Sequence, residues 1–210
     1  MRYFNSLPNL VTSDNLGNSV VLKNLLIRTE LLPKLSKNPL IFYQYAVNDT
    51  DKPEIIADKY YGDSYRYWMV LYANPQILDP QSDWPMNSQQ FTIYLQDKYA
   101  EAANGAANVL SYTLGTVYQY EKIITTVDNT TGTTAVKNVV IDYNTYLLTP
   151  STSTTQSFPD GSSVTYTIST DAVSIYDYEL RQNESKRNIN IINSNYASAL
   201  ESQYTILVNS

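Results

Sequence analysis

The stretch from Tyr45 to Met86 constrains this chain most, because it carries two helix stops, Gly62 and Asn74-Pro75, with helically spaced aromatic residues between them. Asp51, Pro53 and Glu54 form a helix start. Asp51 is placed to cap, Pro53 tolerates the first turn because its missing N–H has no intrahelical partner there, and Glu54 can reach back. The spacing predicts a helix to Tyr61 that stops at Gly62, where a left-handed residue is least costly. Asp63 then caps a second helix with Tyr65, Trp68, Met69 and Tyr72 at i, i+3, i+4 and i+7. Asn74-Pro75 ends it. The β-branched and aromatic run from Leu40 to Val47 reads as a strand ahead of both helices. Trp84-Pro85-Met86 reads as the apolar return.

The rest of the chain divides around this stretch. Residues 1–39 form an N-terminal arm, with turns at Leu7-Pro8-Asn9-Leu10 and Asp14-Asn15-Leu16-Gly17-Asn18. Val20–Leu32 suits a short helix or an extended segment, and Pro33 and Pro39 break either. Ser88 caps a third helix with Phe91, Tyr94, Leu95 and Tyr99 on one side, and 102–108 reads as a linker or a loose turn. The period then changes to two. Tyr112, Leu114, Tyr118 and Tyr120 alternate with Thr113, Gly115, Gln119 and Glu121, and Val139, Ile141 and Tyr143 repeat the trend. With Asp128-Asn129-Thr130-Thr131-Gly132 as turn, this predicts a long hairpin. Thr149–Gly161 reads as a Ser/Thr-rich loop, Val164–Ile168 and Val173–Leu180 as strands, and the tail as an amphipathic helix with Tyr196, Leu200, Tyr204 and Leu207 near helical spacing. The expected fold is α+β: an arm over 1–39, a small module with its following helix over 40–101, and a β-rich region over 109–210 ending in a helix.

Composition removes several function classes. The chain has neither Cys nor His, which rules out Ser-His-Asp and Cys-His catalysis and zinc sites built on sulfur or imidazole. A net charge of −6 with no basic run gives no electrostatic grip on nucleic acid. No apolar run approaches a membrane span or a signal-peptide core, so synthesis in a cytoplasm without an export tag is expected. Tyr numbers 20 against four Phe and two Trp, and a ring that keeps a hydroxyl suits wet protein contacts as well as half-buried strands.

Carboxylates are the remaining acid–base candidates: Asp49, Asp51, Asp58, Asp63, Asp79 and Asp83. A glycosidase needs two across a sugar-sized cleft, but caps and turns account for these more simply. Asp128–Gly132 lacks the alternating acids and distal Glu of a calcium loop, and no glycine spacing matches a phosphate loop. No cofactor or metal is expected. Of the aromatic set Tyr60, Tyr61, Trp68, Tyr72 and Trp84, Trp68 suits a small core. Trp84, between Asp83 and Pro85, suits either a partner contact or a loop lock.

The order strand, Ile56-Ala57-x-x-Tyr60, Gly62-Asp63, apolar helix, Asn74 and apolar return resembles a LysM module, a small βααβ domain best known for binding N-acetylglucosamine polymers such as peptidoglycan. Asn48-Asp49-Thr50-Asp51 stands in place of its usual Gly-Asp-Thr-Leu. Over more of the chain, Met1-Arg2-Tyr3-Phe4, Tyr60-Tyr61-Gly62-Asp63 with Tyr67-Trp68, Ile77-Leu78-Asp79-Pro80 with Asp83-Trp84-Pro85-Met86, and Tyr176-Asp177-Tyr178-Glu179 with Asn183-Glu184-Ser185-Lys186-Arg187 resemble the baseplate wedge subunit of T4-like contractile-tailed phages. The resemblance implies a structural virion protein of the tail baseplate with an embedded LysM-like segment. It would join neighbouring wedges of a six-fold assembly around the hub and contact other wedge subunits, including the sheath-initiating one. The candidate partner-binding residues are Tyr60, Tyr61, Tyr67, Asp83 and Trp84. A peptidoglycan-binding module and a cell-wall hydrolase rank second and third.

Overall fold

A computed structural model of the chain describes residues 3–25 and 38–209. Contacts divide the chain into residues 1–87 with 183–210, and residues 88–182. Helices and strands are mixed in α+β fashion. The expected stretch Val20–Leu32 and Pro33 fall largely outside the described residues.

In the first unit a hairpin of β1 (Asn9–Ser13) and β2 (Ser19–Lys23) precedes β3 (Phe42–Ala46). The helix α1 (Pro53–Tyr61) begins with Pro53 in its first turn and ends on Gly62 at φ 66, as local chemistry demands. Asp63 accepts the N–H of Tyr65 and opens a 3-10 turn, Ser64–Arg66, that leads into α2 (Tyr67–Tyr72). That turn shifts the phase of the expected stripe. Trp68, Met69, Val70 and Ala73 are buried, whereas Tyr65 is exposed.

The return strand expected at Trp84-Pro85-Met86 does not form. β3 pairs antiparallel with a late strand, β8 (Asn188–Ile192), in the register Phe42↔Ile192 to Ala46↔Asn188. Pro85 has no N–H for a ladder, and the backbone of Met86 is bound by an amide instead: its N–H donates to Asn183 Oδ1 and its carbonyl accepts from Asn183 Nδ2. Ile189, Ile191 and Ile192 of β8 are almost fully buried. The last helix, α7 (Ser194–Asn209), buries Ala197, Tyr204 and Val208, one step out of phase with the expected Tyr196 and Leu207, which are exposed. Residues expected in an arm join this core. Leu7 is buried, and the Tyr3 ring lies 5.0 Å from that of Tyr204 and 5.7 Å from that of Trp68.

The second unit holds α3 (Ser88–Tyr99), α4 (Val109–Gly115), β4 (Val117–Asp128), β5 (Thr134–Ile141), α5 (Tyr143–Leu148), β6 (Thr152–Ser157), β7 (Ser163–Ser174) and α6 (Ile175–Ser185), whose last residues pass into the first unit. Its antiparallel sheet has the order β5-β4-β7-β6. The long hairpin turns at Gly132, φ 73, as expected. Four segments differ from expectation. Val109–Gly115 is helical, with Val109 and Thr113 buried four residues apart. Asp142 accepts the N–H of Thr145 and caps a helix where the strand was expected to continue. Thr152–Ser157, expected as loop, is a polar edge strand. At Ser174, the hydroxyl accepts the Asp177 N–H and donates to its carboxylate, a reciprocal cap that starts a helix at Ile175, part-way through the strand expected over Val173–Leu180.

Candidate functional site

The segments around the sequence-nominated residues are built on Asp51. Its side chain is fully excluded from solvent and does not cap α1, whose N-cap is Lys52. It accepts instead from the backbone and side-chain amides of Asn48, from the Tyr45 hydroxyl at 2.7 Å and from Lys59 Nζ at 2.7 Å. The carbonyl of the same residue accepts the indole N–H of Trp84 at 2.9 Å. Burial pushes the Asp51 carboxyl up, but the bonds from Lys59, Tyr45 and Asn48 outweigh it and hold the group at about 2 against an ordinary 3.8. A carboxyl so depressed stabilises the fold fully above pH 4 and loses that contribution as pH falls towards 2. We expect urea titrations to show the native protein losing about 2 kcal/mol more between pH 5 and pH 2 than Asp51→Asn does; parallel pH profiles would contradict this.

Each nominated residue has a definite place. Tyr61 is buried and its hydroxyl donates to the Ile192 carbonyl at 2.9 Å, fastening α1 to β8. Burial, and then Tyr60, push its phenol pKa up, so it remains a donor. Trp84 is 8% exposed, its indole turned inward. Asp83 accepts the N–H groups of Leu78 and Asp79 and closes the loop before Trp84. Tyr60 and Tyr67 are half-buried and pack at the margin of the core. The Tyr60 ring meets that of Tyr43, itself half exposed, edge to face at 6.2 Å. The five residues are therefore not one patch: Tyr61 and Trp84 point into the unit, Asp83 shapes a loop, and Tyr60 with Tyr67 borders the surface.

Sequence reading missed two asparagines and an arginine that organise this unit. Asn74 is fully buried. It donates to the carbonyls of Val70 and Asn190 and accepts the N–H of Asn190, so a side-chain amide holds the edge of β8 as Asn183 holds Met86. Arg187 reaches Asp49, Glu184 and the carbonyls of Val47 and Met86. In the sequence Asn74 showed only as a helix end, and Asn183 and Arg187 only within a phrase of the family resemblance. In the second unit the missed residue is Glu179, buried and accepting from Tyr94, Lys98 and Tyr99 on α3 at 2.7–2.8 Å. Burial raises its carboxyl pKa, yet these donors keep it below the ordinary value.

Chemically, these groups fix backbone. Asp49 pairs with Arg187, Asp63 caps a turn, and Asp79 accepts the Gln81 N–H and the Ser82 hydroxyl. Among the described residues no group of three or more His, Cys, Asp or Glu side chains could hold a metal ion, and no helix is long and apolar enough to cross a membrane. No curated protein matches the chain. A protein family does, described as base plate wedge protein 53, over residues 35–206. With most of its length so matched, the chain belongs to the base plate wedge protein 53 family and is a structural component of the phage tail baseplate.

Proposed function

We propose that the chain joins neighbouring wedge subunits around the central hub during tail assembly, touching other wedge proteins, including the sheath-initiating subunit, in a six-fold ring. It works without chemistry of its own, is made in the host cytoplasm and ends in the virion. The observation that carries this reading, given the family, is the distribution of exposed apolar side chains over both units. In the first, Val11, Leu16 and Val21 of the β1–β2 hairpin are more than 60% exposed; in the second, so are Val136 and Val140 of β5. Exposed apolar groups in contiguous sets mark contact surfaces, and a two-stranded ribbon by itself is only marginally stable in water. A joining protein needs separate contact patches more than one deep pocket.

The test is reconstitution of baseplates from purified wedge and hub proteins with and without this chain, counted by electron microscopy. Omission is expected to leave single wedges and reduce closed rings at least tenfold, with recovery on addition. Closed rings in equal number without it, or tight retention of the chain on peptidoglycan with no binding to wedge subunits, would overturn the reading.

A further inference from the structure

We propose that one face of the four-stranded sheet in the second unit seats an amphipathic helix from another baseplate chain, one with carboxylates beside its apolar stripe. This names a surface and a partner chemistry for the joining role and rests on that reading.

Paired residues of an antiparallel sheet share a face, and the face alternates along each strand. The register therefore puts Tyr120, Lys122 and Ile124 of β4 on one side with Lys137 and Val139 of β5 and with Tyr166 and Ile168 of β7. Among the described residues the opposite side carries no lysine and is mostly paired, with Val136 and Val140 exposed along its β5 edge. Near the start of β4 its Glu121 binds Arg181 of α6 at 3.0 Å. Farther along, Ser153 bonds Thr167 and Thr155 bonds Thr165, hydroxyl to hydroxyl. Toward β6 and β7, away from the β5 edge, such a face suits water.

The first face is covered only at its near end, where Tyr143 and Tyr146 of α5 lie 5.2 and 4.7 Å from the Tyr120 ring. Beyond Tyr120, Val139 and Tyr166 remain 38% and 40% exposed, and Ile124 and Ile168 are only half-buried. An antiparallel sheet ordinarily packs one face on a core. Here the layer that α5 starts is left unfinished, and a further helix completes it.

Charge selects the occupant. Among the described residues, neither Lys122 nor Lys137 has a hydrogen-bond or ion-pair partner. Lys122 is opposite Val139 and Lys137 opposite Ile124, which makes the lysines diagonal neighbours, roughly 7–8 Å apart. Two carboxylates one helical turn apart lie at a comparable spacing, about 5–6 Å. Among the described strand residues the only carboxylate on this face, Asp128, is at the turn and accepts the N–H groups of Thr130 and Thr131. A symmetric contact with a second copy would set these lysines against their like, which is unfavourable.

Binding of purified wedge subunits is the measurement, for the native chain, Lys122→Glu/Lys137→Glu, Lys122→Gln/Lys137→Gln, and Ser153→Glu on the opposite face. A photoreactive residue at position 168 then identifies the neighbour. The double reversal is expected to weaken association at least tenfold with an unchanged melting profile, the neutral pair to fall between, and Ser153→Glu to stay within twofold of native. The cross-link should map to a helical peptide bearing Asp or Glu, and exchanging those for Lys should restore binding to the reversed variant. Association of both double variants within twofold of native, or a cross-link to a second copy or an uncharged segment, overturns this surface while leaving the joining role intact. If the native chain binds no wedge subunit at all, both fall together.

Discussion

A chain ended after Gln182 loses the fold of residues 38–87. Those residues contain the strand and two helices that the sequence displays most clearly, yet the strand's only partner among the described residues, β8, comes from beyond the cut. The removed segment also carries Asn183, which holds the backbone of Met86, and the Ile192 carbonyl, which receives the Tyr61 hydroxyl. It contributes Ile189, Ile191, Ile192 and Val208 to the core, each at most 4% exposed. At roughly 1.5–3 kcal/mol per buried aliphatic side chain, their loss is comparable with the about 5–15 kcal/mol that keeps an ordinary domain folded. Both tryptophans lie in this unit, so their emission reports on it. The truncated chain should show solvent-exposed tryptophan fluorescence and no cooperative thermal transition from this unit. Native-like emission would mean that the early segment folds without β8.

Trp84→Ala is expected to destabilise the same unit by about 3–5 kcal/mol, the range for a large aromatic removed from a core. Two effects act together: the ring leaves a cavity, and the Asp51 carbonyl loses its donor. Trp84→Phe keeps much of the ring volume but removes the N–H, so it should cost less, about 1–3 kcal/mol, chiefly as a buried acceptor left unpaired does. Urea denaturation followed by circular dichroism separates the variants. Had Trp84 served chiefly as a partner contact, both would fold with native stability and fail only in assembly.

Local chemistry made part of this structure legible before any coordinates. The stop at Gly62, the cap at Asp63, Pro53 in a first turn and the hairpin turning at Gly132 each follow from what one residue's backbone can adopt. The pairing of β3 with β8 was not legible, because Asn188–Ile192 is only five residues long, two of them Asn, and its partner lies far back in the chain. The expectation of a return strand at residues 84–86 failed for the same reason: no local signal says that an amide from Asn183 will take the place of a strand. Capping decided α5 and α6. The β-branched and aromatic residues there favour strand, but Asp142 and Ser174 satisfy the first-turn N–H groups and tip the balance. For the candidate site, the importance of Asp51 and Trp84 was visible, but their roles depend on a contact between side chain and backbone 33 residues apart.

The joining role is tested most directly by cross-linking mass spectrometry on intact tails, with links from this chain sorted by unit. Links are expected from residues 1–87 and 183–210 to one neighbouring subunit and from residues 88–182 to another, with some bridging adjacent wedges. Links confined to a single neighbour within one wedge would contradict the joining role.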